Sequence, residues 1–193
     1  MNTAAHGYTT DEIIGITKRW LNTVVIGWGL CPFAKSPYEH DRIHYRVLES
    51  IVDIRGRMLE GYQLLDEKPQ IETMLLIFPS TTCSFGDWYD TVQNQSELLG
   101  QRGYLGQYQC VCFHPEFKFG GDIPSDDMTH HVNRSPFAMI HILRESSITA
   151  VVENGFRTED LLLQNHQRLS KESKASWAAM MGKIIDPNTE SSE

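Results

Sequence analysis

The sequence lacks a long hydrophobic run. None of its apolar stretches reaches the roughly 18 residues that a membrane-spanning helix needs. The N-terminal segment has no basic region followed by an apolar one, so it does not have the pattern of a secretory signal. We therefore expect a cytoplasmic protein that does not have a membrane as a partner.

Positive charge and cysteine are also scarce. The 17 Lys and Arg residues are outnumbered by 25 Asp and Glu residues, which leaves a formal charge of −8. This balance removes the main attraction for phosphate backbones, so nucleic acid is not expected as a partner. The cysteines form no CxxC pair, and we expect free thiols in a reducing compartment; they are Cys31, Cys83, Cys110 and Cys112.

What is present is the composition of an ordinary globular protein, with 40% hydrophobic and 22% charged residues. The length of 193 residues suits one domain. We expect residues 9–186 to form a single α/β domain, with disordered ends at residues 1–8 and 187–193.

Strand and helix signals alternate along the chain. Strands are predicted at residues 44–48, 72–78 and 108–113, and helical patterns lie before, between and after them. This order predicts a layered α/β fold, in which a small and mostly parallel sheet is flanked by helices and followed by a helical C-terminal part. Residues 137–145 fit a helix after Ser135-Pro136 or a strand, and both alternatives stay open.

Residues 29–35 contain the first candidate functional side chain, Cys31. A cysteine at the start of a helical turn faces free backbone N–H groups, and Lys35 adds positive charge, so the thiolate is favoured. Such a thiolate is a nucleophile, a redox thiol, or a metal or haem ligand. A structural role as a small buried side chain is equally open, because buried free cysteines are common.

Cys110, Cys112 and His114 share one face of the predicted strand and its extension, because side chains two residues apart point the same way. Three ligands in a row along one strand close a tetrahedral zinc site poorly, so the two cysteines are expected in the core. His114 follows the strand at the edge where open α/β sheets bind ligands. A functional role and a hydrogen-bonded structural role are both open for it.

A polar segment at residues 116–134 shows no hydrophobic period. Carboxylates and imidazoles at such spacing hold divalent metals, and together with His114 they would form a hydrolase-type site; the candidates are Asp122, Asp126, Asp127, His130 and His131. The same residue types also serve turn formation, and no HExxH motif supports the metal.

Asn133, Arg134 and Ser135 form a candidate anion site. If Ser135 caps a helix, the free N–H groups of that helix and the Arg134 guanidinium point at one place, which suits a carboxylate, a phosphate or a haem propionate. The alternative is that Arg134 pairs with nearby carboxylates on the surface.

A set of motifs keeps its order along residues 17–146 and resembles the bacterial domain-of-unknown-function family 1415. The motifs include Trp20-Leu21, Val25-Ile26-Gly27, Leu30-Cys31-Pro32-Phe33-Ala34, Glu72-Thr73, Phe113-His114-Pro115, Asn133-Arg134-Ser135-Pro136, His141 and Leu143-Arg144-Glu145. Two departures from the pattern are Val132, where a threonine is expected, and Phe137-Ala138, where an aromatic residue and a proline are usual. This resemblance implies a set of motif residues and no particular reaction.

A second resemblance suggests chemistry. The order of a Cys-x-Phe-Ala segment, a strand ending in His-Pro and an Arg-Ser segment is similar to the haem-dependent N-hydroxylases that oxidise arginine and related guanidines. That resemblance implies Cys31 or His114 as an axial iron ligand and Arg134 as a partner of a haem propionate.

Three hypotheses follow. The first is a redox enzyme acting on a small molecule, with haem as a suspected cofactor and all site residues at one edge of the sheet. Its catalytic residues would be Cys31, His114 and Arg134, and its ligand-binding residues Lys35, Asn133, Ser135 and His141. The second is a metal-assisted hydrolase that uses residues 122–131, and the third is a non-catalytic module that binds an anion or a small molecule.

Aromatic side chains also bear on the oligomeric state. If exposed, Trp88, Tyr89 and Trp177 would mark a homodimer surface, but burial in the core is the stronger expectation.

Overall fold

The computed structural model describes residues 7–153 and 157–187. The expected disordered ends therefore lie mostly outside the described residues. The layered α/β architecture is confirmed, because helices surround a four-stranded sheet and further helices follow it at the C-terminal end. Within the described part of the chain, no helix combines the length and apolar character that crossing a bilayer requires.

The elements follow the predicted order, with boundaries shifted by a few residues. The strands are β1 (Ile43–Val47), β2 (Thr73–Phe78), β3 (Tyr108–Phe113) and β4 (Ala138–Arg144). The helices are α1 (Thr10–Trp20), α2 (Lys35–Glu39), α3 (Ile54–Glu67), α4 (Phe85–Leu99), α5 (Glu145–Glu153), α6 (Thr158–Leu169) and α7 (Lys174–Ile185). Short π-helical segments extend α1 at Leu21–Ile26 and α4 at Gly100–Tyr104, and a 3₁₀ helix spans Met128–Asn133.

The sheet is mixed, with strand order β1-β2-β4-β3. The expected parallel pairing holds for β1 and β2, whereas β4 runs antiparallel to β2 and to β3. The reason is that residues 137–145, for which both a helix and a strand were possible, contain a strand. This strand, β4, pairs with β2 on one side and with β3 on the other. Ser135 accordingly caps no helix, and its hydroxyl donates instead to the Phe137 carbonyl at 2.6 Å.

This topology defines two edges of the sheet. Strands β1, β2 and β3 all end at the edge where β4 begins, because β4 is antiparallel to its two neighbours. At the opposite edge β1, β2 and β3 begin and β4 ends.

Both faces of the sheet are buried. All six residues of β2 are buried, and its five apolar residues alternate between two hydrophobic clusters. Leu75 and Ile77 pack in a first cluster with residues of α1 and α7, whereas Met74, Leu76 and Phe78 pack in a second cluster with α3 and α4. Burial on both faces explains why β2 reads as an almost continuous apolar run.

The tryptophans discussed above are core residues. Trp88 belongs to the second cluster and Trp177 to the first, whereas Tyr89 is 41% exposed. The homodimer stays a prediction.

Helix α1 positions the loop that carries Cys31. Thr9 and Glu12 form the predicted capping box, and Ile13, Ile16 and Trp20 bury one face of the helix. The π-helical segment brings the chain to Gly27, where a Cβ would lie 2.3 Å from the Thr23 carbonyl oxygen, so glycine is required.

Candidate functional site

A cavity of about 250 Å³ lies on the first-cluster face of the sheet, at the edge where β1 and β2 begin. Its position follows from its lining, which includes the first residues of these two strands, Ile43 and Thr73, and Leu143 near the end of β4. Most of the wall is apolar. It is formed by Trp20, Leu21, Val25, Pro32, Phe33, Ala34, Pro37, Ile43, Leu75, Phe113, Leu143 and Ile148.

Few polar side chains face this cavity. They are Cys31, Ser36, Glu72, Thr73, His141 and Ser147. An apolar wall with a small number of polar groups is the usual lining of a small-molecule site, because burial supplies affinity and the polar groups fix orientation. This is therefore the strongest candidate site among the described residues.

Part of the wall comes from the π-helical continuation of α1, which supplies Leu21 and Val25. After this segment, Gly29 adopts a left-handed conformation with φ of +60°, and the chain turns toward Cys31. The turn is held by α6, because the Asn165 amide donates to the Leu30 carbonyl at 3.0 Å. Single-turn π segments in α-helices often occur at functional sites.

Cys31 opens into the cavity and is partly exposed. Burial raises the pKa of its thiol, and hydrogen bonds from the backbone of Phe33 and Ala34 oppose that rise. The expected thiolate is therefore not favoured, because loss of hydration outweighs the N–H groups of the turn. Lys35 forms an exposed ion pair with Glu39 at 3.8 Å, where screening by solvent limits its influence.

Thr73 and His141 form a hydrogen-bonded pair in the cavity wall. The Thr73 hydroxyl oxygen lies 2.5 Å from His141 Nε2 and 2.6 Å from the Ile142 carbonyl oxygen. A carbonyl can only accept, so the hydroxyl proton goes to Ile142 and His141 Nε2 donates to the hydroxyl oxygen. The imidazole therefore carries its proton on Nε2 and a lone pair on Nδ1.

His141 is electrically neutral. Burial lowers the pKa of its imidazole to about 4, because the protonated ring would lose its hydration. At neutral pH the ring is thus an acceptor through Nδ1 and a donor through Nε2. His141 was expected to bind a ligand, and the structure places it in the same cavity as Cys31.

The charged rim of the cavity lies beside β2. Glu72 lines the cavity and accepts from Arg42 at 3.0 Å, and Arg42 also donates to the Ser36 hydroxyl at 2.8 Å. This arrangement ties the loop that precedes β2 to α2. It also neutralises the carboxylate of Glu72 at the mouth of the cavity.

His114 lies elsewhere. It lines a separate cavity of about 590 Å³ with Phe78 and Ala138, at the edge where β2 ends and β4 begins. The expectation that Cys31 and His114 share one pocket is therefore wrong. Alternation along β3 explains the separation, because Phe113 packs with the first cluster and the next side chain, His114, turns toward Phe85 of α4.

The imidazole of His114 is fully hydrogen-bonded. Its Nδ1 accepts from the Glu116 amide at 3.1 Å, and the ring also bonds to the backbone of Cys83. Burial lowers the pKa of this histidine. The backbone uses Nδ1, which is the structural role; the neutral ring then carries its proton on Nε2, so neither nitrogen offers a free lone pair for an axial iron bond.

The candidate anion site is also committed to internal bonds. Arg134 donates to the Phe117 carbonyl at 3.1 Å and to His131 Nε2 at 3.0 Å, and Asn133 donates to the Cys112 carbonyl at 3.3 Å. Ser135 is buried and bonded as described above. The expected helix N-terminus does not exist, because the segment after Ser135 is β4, and an anion site at Arg134 stays a prediction.

Side chains of the polar segment 116–134 are also used in internal hydrogen bonds and an ion pair. Asp127 caps the 3₁₀ helix by accepting from Thr129 N at 2.7 Å, and Asp126 pairs with Lys174 at 3.3 Å. His130 accepts from the Phe119 amide and donates to the Pro124 carbonyl, and His131 donates to the Met128 carbonyl. These side chains hold the segment itself together.

The structure therefore gives the metal hypothesis no support. Across residues 7–153 and 157–187, no group of three or more His, Cys, Asp or Glu side chains could hold a metal ion. This includes the proposed ligands His114, Asp126, Asp127, His130 and His131, together with Asp122.

The cysteines of β3 are core residues, as expected. Cys112 is buried, and burial raises its thiol pKa to about 12. Cys110 packs against the second cluster and lies 3.2 Å from the Tyr62 hydroxyl.

Sequence reasoning missed the role of Thr73. The signal for it was a hydroxyl at the start of an otherwise apolar, fully buried strand, because a buried polar group needs a partner. His141 gave the matching signal in β4, as one polar residue in an apolar run. Their register neighbours, Thr73 with Leu143 and Leu75 with His141, bring the two side chains together across β2 and β4.

Comparison with known proteins adds the family. A family model described as "Protein of unknown function (DUF1415)" matches residues 12–179. The chain belongs to the DUF1415 family. The match covers every residue that lines the cavity beside Cys31. No curated protein and no solved structure matches this DUF1415 chain, so the resemblance to haem-dependent N-hydroxylases gains no support.

Proposed function

We propose that this DUF1415 protein binds a small, largely apolar molecule in the cavity beside Cys31. The observation that carries the proposal is an apolar cavity of about 250 Å³ with a neutral imidazole and a thiol in its wall. A dry apolar cavity of about 150 Å³ binds benzene, so in proportion this one accommodates about ten non-hydrogen atoms.

The charge states favour binding over acid–base catalysis. Burial lowers the pKa of His141 to about 4 and raises that of Cys31. Transfer of a proton from the thiol to the imidazole is therefore strongly uphill, and both groups stay neutral at pH 7. Neutral groups in an apolar wall suit a ligand without charge, because a buried unpaired charge is expensive.

Calorimetric titration with n-propylbenzene tests the proposal. We expect saturable binding at one site per chain, and weaker binding by Ala34→Phe, which adds a ring at the cavity wall. Ala178→Phe is the matched control, because Ala178 is exposed on α7 and does not line the cavity. Absence of saturable binding, or equal binding by the two variants, would contradict the proposal.

The same ligand provides a readout that identifies the site. Bound n-propylbenzene should slow the alkylation of Cys31, measured by peptide mass spectrometry. Cys83 is the internal control, because it is partly exposed and lies beside the second cavity. Equal slowing at both cysteines would show that the ligand acts elsewhere.

A redox thiol is the second candidate function, favoured by the opening of the free Cys31 thiol into the cavity. The co-reactant would be a small apolar hydroperoxide. The sulfur attacks the outer peroxide oxygen, the O–O bond breaks, the thiol becomes a sulfenic acid and an alcohol is released. Cumene hydroperoxide should then oxidise Cys31 faster than Cys83, and equal rates would rule this candidate out.

Both candidates suit a reducing compartment such as the cytoplasm. All four cysteines are free, and a free thiol at Cys31 is part of each candidate site.

A further inference from the structure

We propose that the ligand of this cavity carries a hydrogen-bond donor, as a neutral alcohol or phenol does, and that His141 Nδ1 accepts it. This inference rests on the proposed function, because it names the class of molecule that the cavity selects. It makes Thr73 a positioning residue, since Thr73 decides which nitrogen of His141 holds the proton.

Hydrogen bonding to Thr73 fixes the tautomer of His141. The Thr73 hydroxyl has one proton, and the Ile142 carbonyl at 2.6 Å can only accept it. The contact of 2.5 Å between the hydroxyl oxygen and His141 Nε2 must then be a donation from the ring. A neutral imidazole has one N–H, so Nδ1 is left as an acceptor.

Atom Nδ1 of His141 is available to accept a hydrogen bond. Among the described residues, none of the hydrogen bonds of His141 involves Nδ1, while the side chain is partly exposed and lines the cavity. Protonation does not change this role at neutral pH, because burial keeps the pKa of the ring at about 4. A ligand that fills the cavity thus covers an acceptor that only a donor can satisfy.

An acceptor at Nδ1 of His141 restricts the chemical class of the ligand. A ligand with an ether or ketone in this position would face a lone pair with a lone pair, and the acceptor would be left unpaired. A carboxylate would do the same and would also bring a charge against the mostly apolar wall of the cavity, where it would lose its hydration. Sites that hydrogen-bond a substrate hydroxyl reject analogues without it for this reason.

Two isomers of the same composition test the inference by calorimetry. The probe 4-propylphenol has a donor, whereas 4-ethylanisole has only an ether acceptor, and both have a similar apolar body. We expect 4-propylphenol to bind about tenfold more tightly to the wild-type protein, the ratio that an unpaired buried acceptor produces. Equal affinities, or tighter binding of the ether, would overturn the inference.

Variants separate His141 from other causes. His141→Phe should abolish the preference between the isomers by removing the acceptor. Thr73→Val should reduce it, because the free tautomer can then present an N–H to the ether. His40→Gln and Thr17→Val are matched controls that should keep the wild-type ratio, since His40 is exposed and Thr17 bonds within α1. An unchanged ratio in both His141→Phe and Thr73→Val would overturn the role of the pair.

The outcomes distinguish this inference from the proposed function. If n-propylbenzene and both isomers bind with one affinity, the cavity is a binding site and the donor preference is wrong. If none of the three binds, the proposed function fails and the inference fails with it.

Discussion

Replacement of Thr73 by valine tests the hydrogen-bonded pair most sharply. Thr73 is 4% exposed, and its hydroxyl joins His141 Nε2 to the Ile142 carbonyl. Valine has nearly the same shape, so the main loss is hydrogen bonding, and the ring N–H of His141 is left unpaired. An unsatisfied buried group costs about 1–3 kcal/mol, and we expect the free energy of unfolding to fall by about 2 kcal/mol.

A double-mutant cycle with His141→Phe isolates this effect. The double variant has no unpaired ring N–H, so its loss should be smaller than the sum of the single losses by about 1–2 kcal/mol. The assay is urea unfolding followed by circular dichroism at constant pH. Thr17→Val is the control, because this equally buried threonine bonds only to the Ile13 carbonyl at 2.9 Å in its own helix. Additive losses at Thr73 and His141, or a loss no larger than that of Thr17→Val, would show that the hydrogen bond between Thr73 and His141 does not stabilise the fold.

Three further predictions concern other parts of the molecule. Burial lowers the pKa of His131 and His141 to about 4, so the unfolded state binds more protons between this value and about 6.5. The free energy of unfolding should therefore fall as the pH drops through that window. His131→Gln or His141→Phe should each reduce the slope of this free energy against pH by up to about 1.4 kcal/mol per pH unit. An unchanged slope in both variants would contradict the pKa shifts. Arg134→Ala should lower the free energy of unfolding by about 2–3 kcal/mol, because the Phe117 carbonyl and His131 lose their donor. The same loss should speed proteolysis within residues 118–126. Unchanged proteolysis would argue against a role of Arg134 in holding this segment. Alkylation of Cys31 by iodoacetamide should be slow at pH 7 and should still rise above pH 9, because burial raises the thiol pKa from 9.0; a plateau below pH 8 would show a thiolate instead.

Much of the fold follows from sequence patterns that depend on local spacing. The capping box and the spacing of apolar residues in α1 predict only a helix. The apolar run of β2 predicts a buried strand. Both elements lie where these patterns predict them. The sequence of β4 allows two predictions, because a short and mostly apolar run fits a buried helix as well as a buried strand. The pairing of β4 with both β2 and β3 decides between them, and this information lies outside the segment.

The site was predictable only in part. Cys31 and His141 belong to recognisable motifs, and both face the cavity. Their association was not visible, because it depends on the direction of β4. His114 was assigned to the same site from its position after β3, yet one residue along a strand reverses the face on which a side chain lies.

The misassigned polar residues have a common cause. Arg134, Asp127 and His130 are residue types that bind anions or metals, and composition gives no sign that backbone groups use them first. A long segment without regular structure has many backbone groups to satisfy, and these side chains supply the partners. A sequence with many polar residues in such a segment therefore predicts a site less strongly than an isolated polar residue in a buried strand.

Anomalous diffraction from crystals soaked with 1-bromo-4-propylbenzene locates the binding site, because the bromine position reports where an apolar molecule binds. We predict a bromine peak within the cavity that is lined by Trp20, Phe113 and His141. A peak confined to the cavity beside His114, or none in either cavity at saturating ligand, would contradict it.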